Sequence, residues 1–342
     1  MSSPVVVVVS STGDPHTHDV VHELRDMHVE VREVNADALP LDGSITVSLG
    51  GGRSSWDASL HSDQTLLRSL SNITSVWWRR PRNYYGIPDG WPEQQREFVK
   101  AELDQAFAGT WALLDSYWMN RPEDNRRASL KIEQLDRAAR FGLETPATTI
   151  TSDPDVVRAF YAACPGRMVY KVLSEPGLGL TATSEKHPEA AVDQRHTLTT
   201  LIGEAELEAI DGVRLSPGLF QEYIEKDVEL RVTVIGDDIF VGEIHSQDRE
   251  STSVDWRDWA NGGLEIRYSR GTLPDDVQER CINFVRSYGL NFSTMDIVKT
   301  PDGRYVFLEN NPNGNFIWVE KLVPELRMTS ALASCLARGA NG

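Results

Sequence analysis

The first part of the chain alternates between β-branched runs and amphipathic stretches. Five consecutive valines, Val5–Val9, predict a buried strand, and a helix-like stretch follows to about Met27. A second β-rich run at Val29–Val34 completes a βαβ unit, which favours a parallel sheet. The turn after the first strand has no Gly-x-Gly-x-x-Gly, so this unit does not look like a dinucleotide-binding domain.

The same alternation continues through the first third of the chain. Strands are predicted at Ser44–Leu49 and Ser75–Trp78, with a helical pattern around Leu60–Leu70 between them. From Pro92 to Ser116 apolar residues recur at helical spacing, which predicts a long amphipathic helix.

The middle of the chain begins with helical patterns and then changes to strand patterns. A helix is predicted from about Asn125 to Phe141, ending at Gly142, the residue best suited to a left-handed cap. Ser152-Asp153-Pro154 caps a further helix. The clearest later strands are Met168–Val172, Leu219–Tyr223, Glu229–Ile235 and Ile239–His245, and the last helices are predicted at Pro274–Tyr288 and Val319–Ala337. The pattern as a whole predicts an α/β protein, with boundaries near 120 and 215 dividing it into units 1–120, 121–215 and 216–342.

Composition narrows the choice of partners and compartment. The 342 residues carry a formal net charge of -17, which disfavours nucleic acid and anionic membranes as partners. Any bound phosphate must therefore be held by a few local cations or by a metal. The three cysteines are far apart, and no targeting or membrane-spanning run is evident, so we expect a cytoplasmic protein in a reducing compartment.

A predicted hairpin near the C-terminus brings two carboxylates together. Asp302-Gly303 between two β-rich runs is a strong hairpin signal. If these residues form a two-residue loop, Pro301 faces Arg304, and counting outward places Asp296 opposite Glu309. Opposed residues share a sheet face with Cβ atoms about 5 Å apart. Two facing carboxylates repel each other unless a cation lies between them.

The residue two positions beyond Glu309 extends this set. Side chains alternate along a strand, so Asn311 can project to the same side as Glu309. Asp, Glu and Asn oxygens are hard ligands suited to Mg²⁺, which completes its shell with water and phosphate oxygens. The alternative is a solvated strand end followed by an ordinary turn at 311–314.

Two lysines and an acid–x–Arg pair add possible phosphate contacts. Lys131 lies early in a predicted helix, and Lys171 ends the apolar strand MVYK, where an isolated charge must find an anion or reach solvent. Either lysine could instead be an ordinary surface residue. Alternation places Glu229 and Arg231 on one strand face, where they could form a simple ion pair.

In this order, these elements resemble the ATP-grasp ligases over nearly the whole chain. Within that family the chain is similar to the graspetide synthetases, the microviridin-type peptide maturases. The sequence motifs that carry this narrower resemblance are SVWWRRP (75–81), WMNRP (118–122), IHSQ (244–247), DWR (255–257) and FLENNPNGNFIW (307–318). Asn310 and Asn315 depart from the usual family pattern.

The resemblance implies an ATP-grasp fold behind an N-terminal Rossmann-like pre-ATP-grasp domain, with a central and a C-terminal α+β subdomain. It also implies ATP and Mg²⁺ as cofactors and a role for each matching position. Lys131 and Lys171 would hold the ATP phosphates, Gln221, Glu222, Tyr223 and Ile224 would form the hinge at adenine, Glu229 would bind ribose, Arg231 would stabilise the transferring phosphoryl group, and Asp296, Glu309 and Asn311 would hold Mg²⁺.

The implied reaction is side-chain ester or amide crosslinking of a ribosomal precursor peptide, with a leader and a core of Asp/Glu plus Thr/Ser/Lys. A ligase that appends free amino acids to a protein or small molecule is the alternative. Homodimerisation is also implied. The substrate carboxylate needs a cation, for which Arg257 is the first candidate before Arg249, Lys226 and Arg267, although Arg257 could instead pair with a neighbouring aspartate.

Two further positions keep two interpretations each. His245 could act as a base toward the nucleophile or be structural. Arg79-Arg80-Pro81 could contact the precursor peptide or satisfy nearby carboxylates.

Overall fold

The computed structural model of the protein describes residues 5–10, 14–35, 41, 43–50, 56–62, 65–67, 70–79, 86–164, 167–174, 199–248, 253–255 and 266–339. The strands are β1 Val5–Ser10, β2 Glu30–Asn35, β3 Ser44–Leu49, β4 Trp56–Ser62, β5 Thr65–Leu67, β6 Ser75–Trp78, β7 Tyr117–Met119, β8 Thr148–Thr151, β9 Met168–Lys171, β10 Thr200–Ile202, β11 Gly218–Glu222, β12 Val228–Ile235, β13 Asp238–Ile244, β14 Tyr268–Arg270, β15 Phe292–Lys299 and β16 Tyr305–Asn311. The helices are α1 Pro15–Asp26, α2 Glu93–Ala112, α3 Pro122–Ala128, α4 Lys131–Arg140, α5 Pro154–Ala163, α6 Glu204–Glu208, α7 Asp275–Arg286, α8 Ile317–Leu322 and α9 Met328–Arg338.

The N-terminal unit is built on a parallel sheet of order β2-β1-β6-β7, as the opening βαβ pattern predicts. Both faces of the valine run are covered. Val6 and Val8 pack with α1 and with the C-terminal helix α9, whereas Val7 and Val9 pack toward Trp111 of α2. A strand covered on both faces must be apolar throughout, which is why this one is an unbroken run of valines.

The described strands from β8 onward form two antiparallel sheets. The central sheet has the order β10-β9-β11-β8, and the C-terminal sheet has the order β14-β13-β12-β15-β16. Strand β12 is buried along its whole length because β13 and β15 flank it and helices cover the sheet. None of the helices within the described ranges is long and apolar enough to cross a membrane.

The predicted helix around Leu60–Leu70 is wrong. This region contains β4 and β5, which join β3 in a small antiparallel sheet. Ala58 and Leu60 are buried while the residue between them is not, so the apolar period is two, which is the strand period.

Two long predicted helices are interrupted. The Asn125–Phe141 helix is divided into α3 and α4, because Leu130 is extended (φ -78°, ψ 100°) and Ser129 turns its hydroxyl back to the Asn125 carbonyl. The Val319–Ala337 helix is divided into α8 and α9 by a 3₁₀ turn at Pro324–Leu326. Proline has no N–H to continue a helical ladder. Gly142, with φ +78°, follows α4 in the left-handed conformation as predicted.

Candidate active site

The C-terminal hairpin places Asp296 of β15 opposite Glu309 of β16, as the sequence predicts. The turn itself differs from the prediction. Thr300, not Pro301, pairs with Arg304, and the loop has three residues ending in Gly303 at φ +86°. A bulge at Leu308 then adds one residue to β16. The longer loop and the bulge shift the register in opposite directions, so the predicted pairing of the two carboxylates is kept.

Asp296 and Glu309 converge on the side chain of Asn311. Its amide Nδ2 lies 3.5 Å from Asp296 Oδ2 and 3.3 Å from Glu309 Oε1. The other oxygen of each carboxylate accepts from a cation. Arg231 Nη1 donates to Asp296 Oδ1 at 2.7 Å, and Lys131 Nζ donates to Glu309 Oε2 at 2.9 Å. Each carboxylate therefore has one oxygen neutralised and one aimed at a shared point.

The electrostatics of Asp296 favour an added positive charge. Burial raises the pKa of its carboxyl above the ordinary value, and nearby Glu309 adds to the rise, whereas Arg231 opposes it. A carboxylate whose ionised form is disfavoured in this way gains from a cation close by.

This donor set fits Mg²⁺. Within the described residues no three His, Cys, Asp or Glu side chains gather as a metal site, so a cation here would rest on two carboxylates and an amide. Two carboxylate oxygens that converge on one N–H₂ group can converge equally on a cation, and rotating the Asn311 carboxamide by half a turn presents Oδ1 instead.

A second layer of hydrogen bonds fixes the end of β16. The Gln134 carboxamide donates to the Asn310 carbonyl at 2.9 Å and accepts from the Asn310 N–H at 2.9 Å. The Asn310 side chain is buried and accepts from Ser293 Oγ at 2.6 Å. Asn310, which departs from the usual family pattern, therefore has hydrogen-bond partners for its buried side chain between the two strands. It leaves the proposed ligands Glu309 and Asn311 on either side unobstructed.

Lys171 lies at the end of β9, as predicted, and its side chain contacts the neighbouring strand β11. Its Nζ donates to Gln221 Oε1 at 2.8 Å, and Gln221 Nε2 donates in turn to Thr148 Oγ1 at 2.9 Å. Burial lowers the pKa of Lys171 to about 8, with Glu309 opposing the shift and the positive charge of Lys131 adding to it. An ammonium group held in this way is stabilised by an anion entering the cleft.

The predicted hinge residues line the cleft and contact neighbouring elements. Glu222 donates its N–H to the Ala147 carbonyl at 3.0 Å and accepts the Ala147 N–H on its side chain at 2.8 Å. The Arg167 guanidinium lies 3.9 Å from the Tyr223 ring. Together with Ile224, these hinge residues line the cleft.

Glu229 and Arg231 do not pair with each other, so a simple ion pair between them is excluded. Glu229 accepts from Ser246 Oγ at 2.6 Å and pairs with Lys226 Nζ at 3.0 Å. Burial raises the pKa of Glu229, while Lys226 and the Ser246 hydroxyl oppose the rise. Sequence reasoning missed Lys226 as the partner of Glu229, although it stands three residues before it.

One cleft of about 830 Å³ is lined by all the described candidates for nucleotide and metal binding. It lies between the central sheet, which supplies Lys171 and Gln221, and the C-terminal sheet, which supplies the carboxylates. That volume falls within the roughly 300–1,000 Å³ typical of small-molecule sites. Candidate residues lining it are Lys131, Lys171, Gln221, Glu222, Tyr223, Ile224, Glu229, Arg231, Asp296, Glu309 and Asn311.

The candidates for the substrate carboxylate have different positions. Arg257 and Arg249 lie outside the described residues. Lys226 already pairs with Glu229, and Arg267 is exposed, pairs with Asp248 and does not line the cleft. His245, which is hydrogen-bonded to Ser269 Oγ at 2.8 Å, does not line it either.

Arg126 is a cleft residue that sequence reasoning missed. It belongs to α3, lines the cleft and is exposed. Within the described ranges it has no ion pair, whereas the other cations of the cleft are engaged. The sequence predicts a continuous helix here, whereas the chain breaks between α3 and α4 shortly after Arg126.

Comparisons with known proteins give the context for this geometry. Residues 5–126 match the model of the MvdD pre-ATP-grasp domain. A Chryseobacterium gregarium RiPP-associated ATP-grasp ligase, solved with ADP and a leader and core peptide, is 27% identical with a TM-score of 0.83, over 97% of this chain and 96% of that one. The Microcystis aeruginosa MRC macrocyclase MdnC, bound with precursor peptide MdnA, is 26% identical with a TM-score of 0.81, over 98% and 99% of the two chains.

A curated relative matches a large part of the chain. A probable alpha-L-glutamate ligase of Enterobacter sp. (strain 638) is 26% identical over 222 residues, which are 63% of this chain and 67% of that protein. Together these similarities confirm the resemblance seen in the sequence. The chain has an ATP-grasp fold with an N-terminal region that matches the MvdD pre-ATP-grasp domain, and over nearly its whole length it is similar to RiPP-associated ATP-grasp ligases.

Proposed function

We propose that the protein is an ATP-dependent macrocyclase that forms side-chain ester or amide crosslinks in a ribosomal precursor peptide. The observation that carries the proposal is the convergence of Asp296 and Glu309 on one point, beside Lys131 and Arg231 and across the cleft from Lys171. Positioning a nucleoside triphosphate requires carboxylates that bind a metal ion and several cations that bind the phosphates. The structures of the peptide-bound relatives support the choice of a peptide as acceptor.

ATP would lie along the cleft with its adenine at the hinge. Glu222 and Ile224 would meet the base, Glu229 would accept from the ribose, and Lys131 and Lys171 would hold the phosphates. Asp296, Glu309 and Asn311 would hold Mg²⁺, which would neutralise phosphate charge when bound.

The chemistry then needs positioning and charge neutralisation more than a protein nucleophile. An Asp or Glu carboxylate oxygen of the peptide attacks the γ-phosphorus, and ADP leaves. Arg231 offsets charge on the oxygens of the transferring group. A Thr or Ser hydroxyl, or a Lys amine, then attacks the acylphosphate carbonyl, losing its proton as phosphate leaves. The peptide thus loses the elements of one water for each bond.

The peptide carboxylate needs a cation of its own. Arg257 stays our proposal for this role, and Arg126, exposed at the cleft and without an ion pair among the described residues, is the described cation that best fits it. A homodimer and the division into units 1–120, 121–215 and 216–342 also stay proposals, which sedimentation and limited proteolysis would test.

Addition of free amino acids to a protein or small molecule is the second candidate function. The similarity to a probable alpha-L-glutamate ligase favours it. The two functions differ in the sign of the mass change, because crosslinking removes water whereas tailing adds residues.

The test uses the peptide encoded by the short reading frame beside this gene, incubated with the protein, ATP and Mg²⁺. We expect mass spectrometry to show the loss of one water per crosslink. A mass gain on addition of free glutamate would instead establish the second function.

A variant pair tests the carrying observation. Glu309→Gln keeps the side-chain shape but removes a metal-binding charge, so turnover should fall by roughly 10²–10³-fold. The matched control is Glu144→Gln, which alters an exposed carboxylate paired with Arg304 away from the cleft. Equal turnover of Glu309→Gln and wild type, with both folded, would refute the metal assignment.

A further inference from the structure

Arg79 is a buried arginine at the carboxyl end of β6, in the N-terminal unit. Only 1% of its surface is exposed. Burying a guanidinium is unfavourable unless its donors are satisfied, so the partners of Arg79 indicate what its burial achieves.

Its partners lie in the loop that follows β16. Nη1 donates to the carbonyls of Asn313 at 2.6 Å and Gly314 at 3.3 Å, and Nη2 donates to Asn315 Oδ1 at 2.6 Å. On its other side, Nε lies 3.4 Å from Asp14 Oδ2, and Asp14 caps α1. Arg79 therefore joins the N-terminal unit to residues 313–315, two positions beyond Asn311.

The loop is pressed against the strand that carries Asp296. A Cβ added at Gly314 would lie 1.6 Å from Thr294 Oγ1, so no larger residue fits without moving the backbone. Arg79 holds the outer side of this loop while β15 supports its inner side.

The same loop supplies one of two partners that orient Arg231. Arg231 Nη2 donates to the Asn315 carbonyl at 3.3 Å, and Nη1 donates to Asp296 at 2.7 Å. Its Nε is buried and has no partner within the described residues. With only two anchors, the guanidinium depends on the Asn315 carbonyl for its orientation.

We propose that Arg79 is a positioning residue for Arg231, acting through Asn315. The inference rests on the proposed function in that Arg231 is taken to act on the transferring phosphoryl group. Arg79 thus connects the carboxyl edge of the N-terminal sheet, through Asn315, to the guanidinium of Arg231. If the loop moved away, Arg231 would be anchored by Asp296 alone.

Simple docking of the two units does not need Arg79. Asn120, which is fully buried, donates to the Phe292 carbonyl at 2.8 Å and the Pro312 carbonyl at 3.0 Å and accepts from the Asn291 and Phe292 N–H groups. Ser75 Oγ donates to the Leu336 carbonyl at 2.6 Å. These bonds join the units independently, so loss of Arg79 should affect Arg231 more than assembly.

The test is a double-mutant cycle of Arg79→Met and Asn315→Ala. ADP formation in the presence of the precursor is the readout of kcat, and calorimetry gives ATP affinity. We expect each single variant to lower kcat by about tenfold or more, since small misplacements of a reacting group have effects of that order. ATP affinity should stay within about twofold, and the double variant should lose no more than the worse single one.

Arg127→Met is the matched control. Arg127 also crosses between elements, donating to the Tyr288 carbonyl at 3.0 Å, but it does not contact the 313–315 loop. An Arg79→Met protein whose kcat per folded molecule equals that of the control, or losses that multiply in the double variant, would overturn the proposal.

A crystal structure of Arg79→Met provides a readout that does not depend on activity. We expect the distance from Arg231 Nη2 to the Asn315 carbonyl to exceed hydrogen-bond length. An unchanged bond and loop would overturn the proposal even if activity fell. If the wild-type protein forms no ADP with the precursor, the proposed function fails, while this structure still decides whether Arg79 positions Arg231.

Discussion

Lys171 shows how a single residue in the cleft is prepared for an anion. Its side chain is partly buried, and its one hydrogen bond within the described residues goes to a neutral acceptor, Gln221 Oε1. Burial holds its pKa at about 8. The free-energy cost of desolvating the charged form is offset when a phosphate oxygen enters the cleft.

This gives a pH prediction with opposite signs for affinity and stability. The charged lysine binds phosphate, so ATP affinity should be full below about pH 8 and should fall by up to about tenfold per pH unit above it. The folded pKa lies below the ordinary lysine value of 10.5, so the unfolded chain binds more protons between those values, and the stability of the ligand-free protein should rise there.

Calorimetric titration of ATP from about pH 7 to pH 9.5, with thermal melts at the same pH values, measures both effects. Lys171→Arg is the comparison, because a guanidinium stays charged throughout this range. If the arginine variant shows the same decline in affinity as wild type, Lys171 is not the titrating group.

Which residues lie together in the cleft could be predicted from the sequence where side chains alternate along a strand. Asp296, Glu309 and Asn311 follow from counting along a hairpin, whose two irregularities cancel. Contacts that depend on tertiary packing could not be predicted in this way. The bond from Lys131 to Glu309 joins residues 178 positions apart, and no local pattern indicates that Arg126 lies at the cleft.

At the scale of the elements, the β15–β16 hairpin depends on local backbone chemistry. Gly303 has φ +86°, and Thr300 both donates its N–H to the Arg304 carbonyl at 2.9 Å and accepts the Arg304 N–H on its hydroxyl at 2.9 Å. The Asp-Gly signal therefore predicted a hairpin correctly, whereas the loop length depended on a side-chain bond that no dipeptide rule contains.

Gly303→Ala should destabilise the protein by about 1 kcal/mol, because an L-residue is disfavoured at this φ. A Cβ at Gly303 meets no atom within 4 Å, so the effect would be purely conformational. Gly90→Ala is the matched control, since its Cβ also has open space and no left-handed φ is required. Denaturant unfolding measures both, and an equal effect of the two substitutions would contradict the argument.

At the scale of the whole molecule, the N-terminal and C-terminal parts share one core. Val6, Val20 and Leu24 of the first unit pack in the same cluster as Phe316 and Leu332 near the end of the chain. The sequence predicted each apolar face but not this pairing, because periodicity shows that a face is buried and not which distant element buries it.

A shared core predicts cooperative unfolding across the units. Leu332 of α9 is fully buried against the N-terminal sheet and α1, so Leu332→Ala should cost roughly 3 kcal/mol through lost contacts and a cavity. Because that cavity lies between the two parts, scanning calorimetry should show the N-terminal sheet and the C-terminal sheet losing stability together. Leu215→Ala, at a side chain that is 92% exposed, should change stability by less than about 0.5 kcal/mol. Two separate transitions, of which Leu332→Ala moves only one, would mean that the parts unfold independently and that Arg79 spans a junction between separable domains.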